Sequence, residues 1–318
     1  MTYVERYVKF GEEDSWGTSV ATDSYFNYLL RWDGEVTEHR IEEPVIAGYR
    51  DAKSRVFTQR EVVATAQAQL TSARFLEYAL GSISLTGGSS LPATIEPSNS
   101  TLPSLTFQRV FRPVEGSEDN ALTLWGLKVD SFEITLEQGE DVVVEYSFAG
   151  KDGTIETVTY SAPDIDYTVV PFAYQDGVLT WGGTTLGHVI RAVITGNNNL
   201  EARFAASGTI GTVFTCQELR EGQLDVSGRF TIDRPLSTYA KAVLDRGEGT
   251  IVLTLTRAGT GTITITLSNV ALESYSESVS GLDAIEVEYP FTCRRKDTTI
   301  PAIRIVQSGT GAWSSLVY

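Results

Sequence analysis

Residue types able to carry chemistry are thin in this chain. Only two histidines, His39 and His188, and two cysteines, Cys216 and Cys293, occur among 318 residues. A Ser-His-Asp triad can be assembled from any chain order. No Gly-x-Ser-x-Gly elbow presents a serine, however, so both histidines read as surface or hydrogen-bonded structural groups. A four-ligand zinc site would need more His and Cys than the chain holds. The cysteines read either as a Cys216–Cys293 bridge between neighbouring strands or, the favoured reading for a product made without export, as two buried free thiols. Acidic clusters stand at Glu12-Glu13-Asp14, Glu42-Glu43 and Glu140-Asp141. Glycosidases use a carboxylate pair, but turns and solvated faces produce such neighbours constantly. Asp164-Ile165-Asp166 offers oxygens that suit calcium, though too few alone. Asn99-Ser100-Thr101 matches a glycosylation acceptor, incidental in a chain expected not to be exported. Gly247-Glu248-Gly249 and Gly259-Thr260-Gly261 lack the strand-to-helix context of a phosphate loop and read as turn glycines. No residue is assigned a catalytic, cofactor-binding or metal role, and no cofactor and no enzyme activity are expected.

The elements that would position any site are strands. Hydrophobic residues make up 42% and charged residues 21%, the composition of a chain with a real core. No stretch approaches the roughly 18–20 continuous apolar residues of a spanning helix, so no membrane role is expected. Residues 1–10 lack the apolar run of about 7–15 residues that marks a secretory signal. The formal net charge is −16, and six of the 25 basic residues are Lys. Such a chain does not grip nucleic acid by neutralising phosphates. Acidity either keeps an abundant protein soluble or serves to repel DNA.

The chain repeats itself. Residues 122–151 slide onto 265–294 without a gap. Leu122–Val129 falls on Ile265–Leu272, Val142–Phe148 on Ile285–Phe291, and Lys151 on Arg294, with apolar alternation in phase throughout. A one-residue slip in a strand would exchange core for solvent, so the shared phase predicts equivalent strands. Upstream, Arg74–Leu80 resembles the start of Pro235–Leu244, where apolar spacing predicts an amphipathic helix with Asp233 as cap and Pro235 in its first turn. Each helix follows a strand, Val62–Leu70 in one copy and Gln223–Ile232 in the other. Ser15-Trp16-Gly17-Thr18 echoes Thr180-Trp181-Gly182-Gly183. Residues 250–256 and 262–267 predict a hairpin closed by the glycines between them. Residues 188–195 and 200–206 predict another, closed by Gly196 and three asparagines. Residues 86–104, rich in Gly, Ser, Pro and Thr, predict a long exposed loop.

Gly11-Glu12-Glu13-Asp14-Ser15-Trp16-Gly17-Thr18 resembles the opening of tail tube proteins from tailed viruses of bacteria and archaea. The strand–helix–hairpin order of each copy and the closing Tyr146-Ser147-Phe148 and Tyr289-Pro290-Phe291 are similar to that family too. The resemblance implies a mainly β fold of two tandem β-sandwich or partial-barrel tube domains, each with one flanking α-helix. The first would span 1–162, with an N-terminal arm and the loop at 86–104. The second would span 163–296, followed by a C-terminal arm at 297–318. Single-domain members form rings of six, so two domains imply trimeric, pseudo-hexameric rings. The stacked rings form the conduit for viral DNA during ejection, and DNA passes without specific binding. Residues 1–15, 86–104 and 300–318 are the candidate stacking arms. Trp313 and Tyr318 in the last of these either meet a partner or pack on their own domain. The implied partners are further copies of the chain, the tape measure, the tail terminator and a sheath where one exists. The implied location is the virion, after synthesis in the host cytoplasm. Two alternatives stay open: a tail-completion, baseplate or distal-tail ring protein, and a two-domain carbohydrate-binding adhesin.

Overall fold

The computed structural model describes residues 6–43, 54–86, 90–111, 119–159, 168–204, 215–233, 247–274 and 286–309, together with 313 and 318. The first half contains β1 (Arg6–Glu12), β2 (Ser24–Tyr25), β3 (Leu29–Glu43), β4 (Ser54–Gln69), α1 (Leu76–Leu80), β5 (Gly81–Thr86), β6 (Ser90–Pro97), β7 (Leu105–Phe111), β8 (Asp119–Glu137), β9 (Val143–Gly150) and β10 (Asp152–Val158). The second contains β11 (Gly177–Trp181), β12 (Thr184–Thr185), β13 (Val189–Asn197), β14 (Glu201–Arg203), β15 (Glu218–Arg220), β16 (Asp225–Asp233), β17 (Glu248–Arg257), β18 (Gly261–Leu272), β19 (Glu286–Cys293) and β20 (Ile303–Ser308). The protein is mainly β, in antiparallel sheets, as the alternation of Val, Ile and Thr predicts.

Strand β8 is the hinge of the first half. Its N-terminal part pairs with β7 on one edge and β10 on the other. Its C-terminal part pairs with β9 and, on the opposite edge, with β13 of the second half. One continuous sheet therefore runs β3-β4-β9-β8-β13-β16-β19-β18 through both halves. A second layer of β2-β1-β7 packs over it through β8. An aromatic cluster fills the space between the layers. Trp32 stacks on Phe107 at 4.6 Å, Phe26 lies 4.6 Å from Phe75, and Phe75 meets Tyr146 edge-on at 4.7 Å. The short helix α1 buries Leu76, Tyr78, Ala79 and Leu80 and ends at Gly81, whose φ of 82° suits a residue without a side chain.

Strand pairing recurs between the halves down to its irregularities. The first half pairs β1–β7–β8–β9–β4–β3, with β10 on the free flank of β8; the second pairs β11–β17–β18–β19–β16–β13, with β20 on β18. A register shift between Leu29 and Arg31 against β4 matches one between Val189 and Arg191 against β16. A second shift, between Leu105 and Phe107 against β8, matches one between Gly249 and Ile251 against β18. Left-handed backbone follows the same correspondence, at Gly126 (φ 68°) and Asn269 (φ 49°). Asn is the side chain best suited to that conformation after glycine. Strands β9 and β19 bury the same alternate positions, including Tyr146 and Phe148 in one and Tyr289 and Phe291 in the other.

Several expectations need correction. The segment expected as an exposed loop over 86–104 contains β6, which pairs with β5 and β20 and buries Ala93 and Ile95 completely. Alternating apolar residues there outweigh the flanking Gly, Ser and Pro. Of the expected arms, Arg6–Glu12 and Ile303–Ser308 are strands of the fold. Residues 188–206 are not one hairpin: β13 pairs with β8 and β16, while β14 pairs with β15. Asn198 turns the chain away because its side chain donates to the carbonyls of Ala79 and Val129, and Asn199 follows with φ 51°. The Trp-Gly echo is not an equivalence either. Trp181 lies in β11 opposite Ile251, the place Phe10 takes opposite Phe107, whereas Trp16 lies in a turn beyond β1. The helix expected at 235–244 lies outside the described residues.

The joint between the halves is tight at one point. A Cβ on Gly196 would stand 2.3 Å from the Phe132 ring across the β8–β13 pair. Gly196→Ala is therefore expected to destabilise the fold by about 1–3 kcal/mol, read in urea as a lower midpoint at unchanged slope.

Candidate assembly surface

The continuous sheet has one covered and one bare face. On the covered face Trp32, Ala66, Tyr146, Phe132, Gly196 and Val226 follow one another across the strands, all buried. One residue along, Arg31, Gln67, Glu145, Glu133, Thr195 and Ser227 do the same on the bare face. Among the described strand residues that face carries Asp33, Glu35, Glu61, Glu133, Glu137, Glu145, Asp225, Asp233, Glu286 and Glu288 against Arg31, Lys128, Arg191 and Arg229, with Lys128 paired to Glu221. Each arginine is held in an ion pair: Arg31 with Asp33, Arg191 with Glu137 across the β8–β13 joint, and Arg229 with Glu288. Such exposed pairs add little stability, and the remaining carboxylates set the sign of the field.

The two ends of this sheet differ. Among the described residues β3 has β4 as its sole strand partner. At the other end β18 is paired on both edges, with β17 as far as Ala271 and with β19 as far as Leu272. An unpaired edge is a template for another strand.

Behind the sheet, Glu13 fixes the geometry around the Gly126 kink. Its carboxylate accepts from the backbone N–H of Gly17 and Gly126 and from the hydroxyls of Ser104 and Thr106, at 2.7–2.9 Å. Trp16 Nε1 donates to Gly126 O at 3.0 Å, and Lys151 Nζ sits 5.1 Å from the Trp16 ring centre. The run Gly11–Thr18 is thus a structural lock. The chain terminus is a second lock: Trp313 Nε1 donates to Glu77 Oε2 at 2.9 Å, and the Arg74 guanidinium covers the Tyr318 ring at 4.0 Å. Both terminal aromatics pack on the chain's own first half.

The other groups singled out by type stay apart. His39 meets Glu61 at 3.2 Å on an exposed strand, while His188 has φ 59° and offers its carbonyl to the Asp233 N–H. Asp141 accepts from Gln69, and Asn99 is exposed. Asp164 and Asp166 lie outside the described residues, as do the side chains of Glu42 and Glu43. Cys216 and Cys293 are both free and buried. Burial pushes the Cys293 thiol up to about 12 and raises that of Cys216, the reverse of a reactive thiol. Sequence reasoning passed over Glu13, because nothing in an acidic triplet tells which member turns inward.

A model of the phage tail tube protein family matches residues 5–293. The chain belongs to that family. Its match covers both halves, the bare acidic face and the open edge of β3, and places the protein among structural components of the virion. Comparison with curated proteins finds no match.

Burial raises the Glu77 carboxyl above its ordinary range, with the Trp313 hydrogen bond acting in the opposite sense. The folded chain therefore holds this proton more tightly than the unfolded chain, so the group favours the fold as pH falls and disfavours it once pH rises through the folded value. Glu77→Gln, which still offers Trp313 an oxygen, is expected to unfold at higher temperature than wild type at pH 7. That advantage should shrink toward pH 4, as melting curves across this range would read.

Proposed function

We propose that the chain is the major tail tube subunit and that its halves are tandem tube domains, 1–162 and 163–296, followed by a C-terminal segment at 297–318. Three copies close a pseudo-hexameric ring, rings stack into a tube, and viral DNA passes through the bore during ejection. The observation that carries this reading is the head-to-tail sheet, in which equivalent groups of four strands follow one another and leave the outer edge of β3 without a strand among the described residues. A heterologous contact of this kind gives a ring when its rotation closes. The second layer and the aromatic core occupy the covered face of the sheet. In a ring the bulkier side takes the larger radius, which turns the bare acidic face toward the bore. Carboxylates there repel DNA phosphates and let the polymer slide. The protein acts by assembly, without turnover of a substrate. Its partners are further copies of itself, the tape measure, the tail terminator and any sheath, and it is made in the host cytoplasm before entering the virion.

Purified protein at high concentration is expected to give rings of threefold symmetry and filaments under negative-stain microscopy; a persistent monomer that binds glycans would replace this reading with an adhesin. The paired reversal Glu133→Lys with Glu145→Lys should leave the rings intact and make them retain short duplex DNA at low salt, measured by fluorescence anisotropy. Equal retention by wild type and variant would remove the bore from this face.

A further inference from the structure

Each half carries a long hairpin interrupted at the same place, yet the two hairpins stand differently. One strand can be counted from the register shifts at Leu29/Arg31 and Val189/Arg191, the other from the pairs Val62↔Gly150 and Val226↔Cys293. On that count Ile41↔Val56 and Glu43↔Ser54 fall on Glu201↔Arg220 and Arg203↔Glu218. Strands β14 and β15 are therefore the outer part of the second hairpin. In the first hairpin the outer part continues β3 and β4 past a register shift at His39/Arg40. In the second it leaves the main sheet after Asn197↔Asp225 and forms a two-stranded sheet of its own. One element thus takes two postures in a single chain.

Side chains account for the difference. Glu38, at the place of Asn198, is held by Arg60 of its own hairpin at 2.8 Å, and Arg60 reaches on to Asp152 of β10. Asn198 instead donates through its amide to carbonyls of the first half, and its backbone N–H and that of Leu200 reach Asp130 O and Asp130 Oδ1. Asn199 Nδ2 donates to Gln223 O and Asp225 Oδ2, and Gly222 N–H donates to Asn198 O, so both strands pass the bend together. Beyond the bend, Glu221 holds the first half with one carboxylate oxygen. Its Oε1 accepts from Lys128 Nζ at 2.6 Å and from Leu102 N–H at 2.8 Å. Cys216 and Leu219 of the outer part are buried.

We propose that β14–β15 is a strap that swings about residues 198–200 and 222–224 and is latched shut on the first half by Glu221 on Lys128. The Lys128 side chain is 7% exposed and that of Glu221 21%. Closed, the strap gives the covered ammonium its carboxylate; open, both groups return to water. A buried charge that loses its partner is costly, whereas a neutral pair in the same place is not. The latch therefore answers to the charge on residue 221 more than to its shape. The strap works within one chain and does not rest on the ring reading.

Cys216 reports the posture of the strap. Cys293 is the internal control, since it lies in β19 between Val226 and Val270, away from the strap. The test is maleimide labelling of the intact chain, with each thiol followed by peptide mass spectrometry. In the wild type both thiols should react slowly. Glu221→Gln keeps an oxygen for Leu102 N–H but orphans the Lys128 charge, and is expected to label at Cys216 faster by about tenfold or more with Cys293 unchanged. Adding Lys128→Met removes the orphaned charge and should return Cys216 to the wild-type rate. An unchanged Cys216 in Glu221→Gln, equal acceleration of both thiols, or a double variant that labels as fast as the single one would each overturn the latch.

Discussion

Unpaired strand edges govern this molecule. Each residue at a sheet margin carries backbone N–H and C=O groups that require partners once water is excluded. Inside the chain the requirement is met by direct pairing, when β13 covers the edge of β8 along Ser131–Glu137. The outer edge of β3, at the head of the same sheet, has no strand on it among the described residues. Strand β3 is fifteen residues long and has no proline, and its edge is blunted by charged residues such as Arg31, Asp33 and Glu35 and by register shifts at Leu29/Arg31 and His39/Arg40. On the ring reading, that edge is completed by another copy.

The two halves keep backbone demands more faithfully than side chains. Gly126 and Asn269 share a left-handed conformation although the residues differ. The bulges beside them recur, although Leu105 and Phe107 correspond to Gly249 and Ile251. A bulge bends a strand and increases its twist. Here it lets β8 and β18 leave one layer and enter the next, which brings a single strand into contact with neighbours in both. The side chains around the bend differ widely: Glu13 and Trp16 brace Gly126 in the first half.

Much of this was legible in the sequence where a period of two ran uninterrupted. The gapless match of 122–151 to 265–294 located β9 and β19 in phase, and Tyr146, Phe148, Tyr289 and Phe291 are all buried. The hairpin of β17 and β18 was readable from its glycines. Composition misled at 90–97, where Ser and Pro mask a strand that is buried between β5 and β20. Local pattern also cannot show which distant strand will be a neighbour. The Gly196–Asn199 turn looks like a hairpin until Asn198 finds carbonyls at Ala79 and Val129, more than sixty residues away along the chain. The acidic face needed the sheet register, because Glu133, Glu145 and Arg31 come together only through cross-strand pairing.

On the ring reading, the inner joint is also more specialised than a joint between chains can be. Gly196 admits the Phe132 ring at a distance that no side chain would allow, and the buried Asn198 is satisfied by two carbonyls. The position on β3 equivalent to Gly196 is Val36, whose branched side chain sits beside Gly153 of β10. A joint closed within one chain forms at the high effective concentration of its two parts and can evolve tight packing without regard to release. A joint between chains must stay open until copies meet. On the ring reading, duplication has therefore separated two tasks that a single-domain subunit would have to combine: half of the junctions are made during folding, and the other half are reserved for assembly.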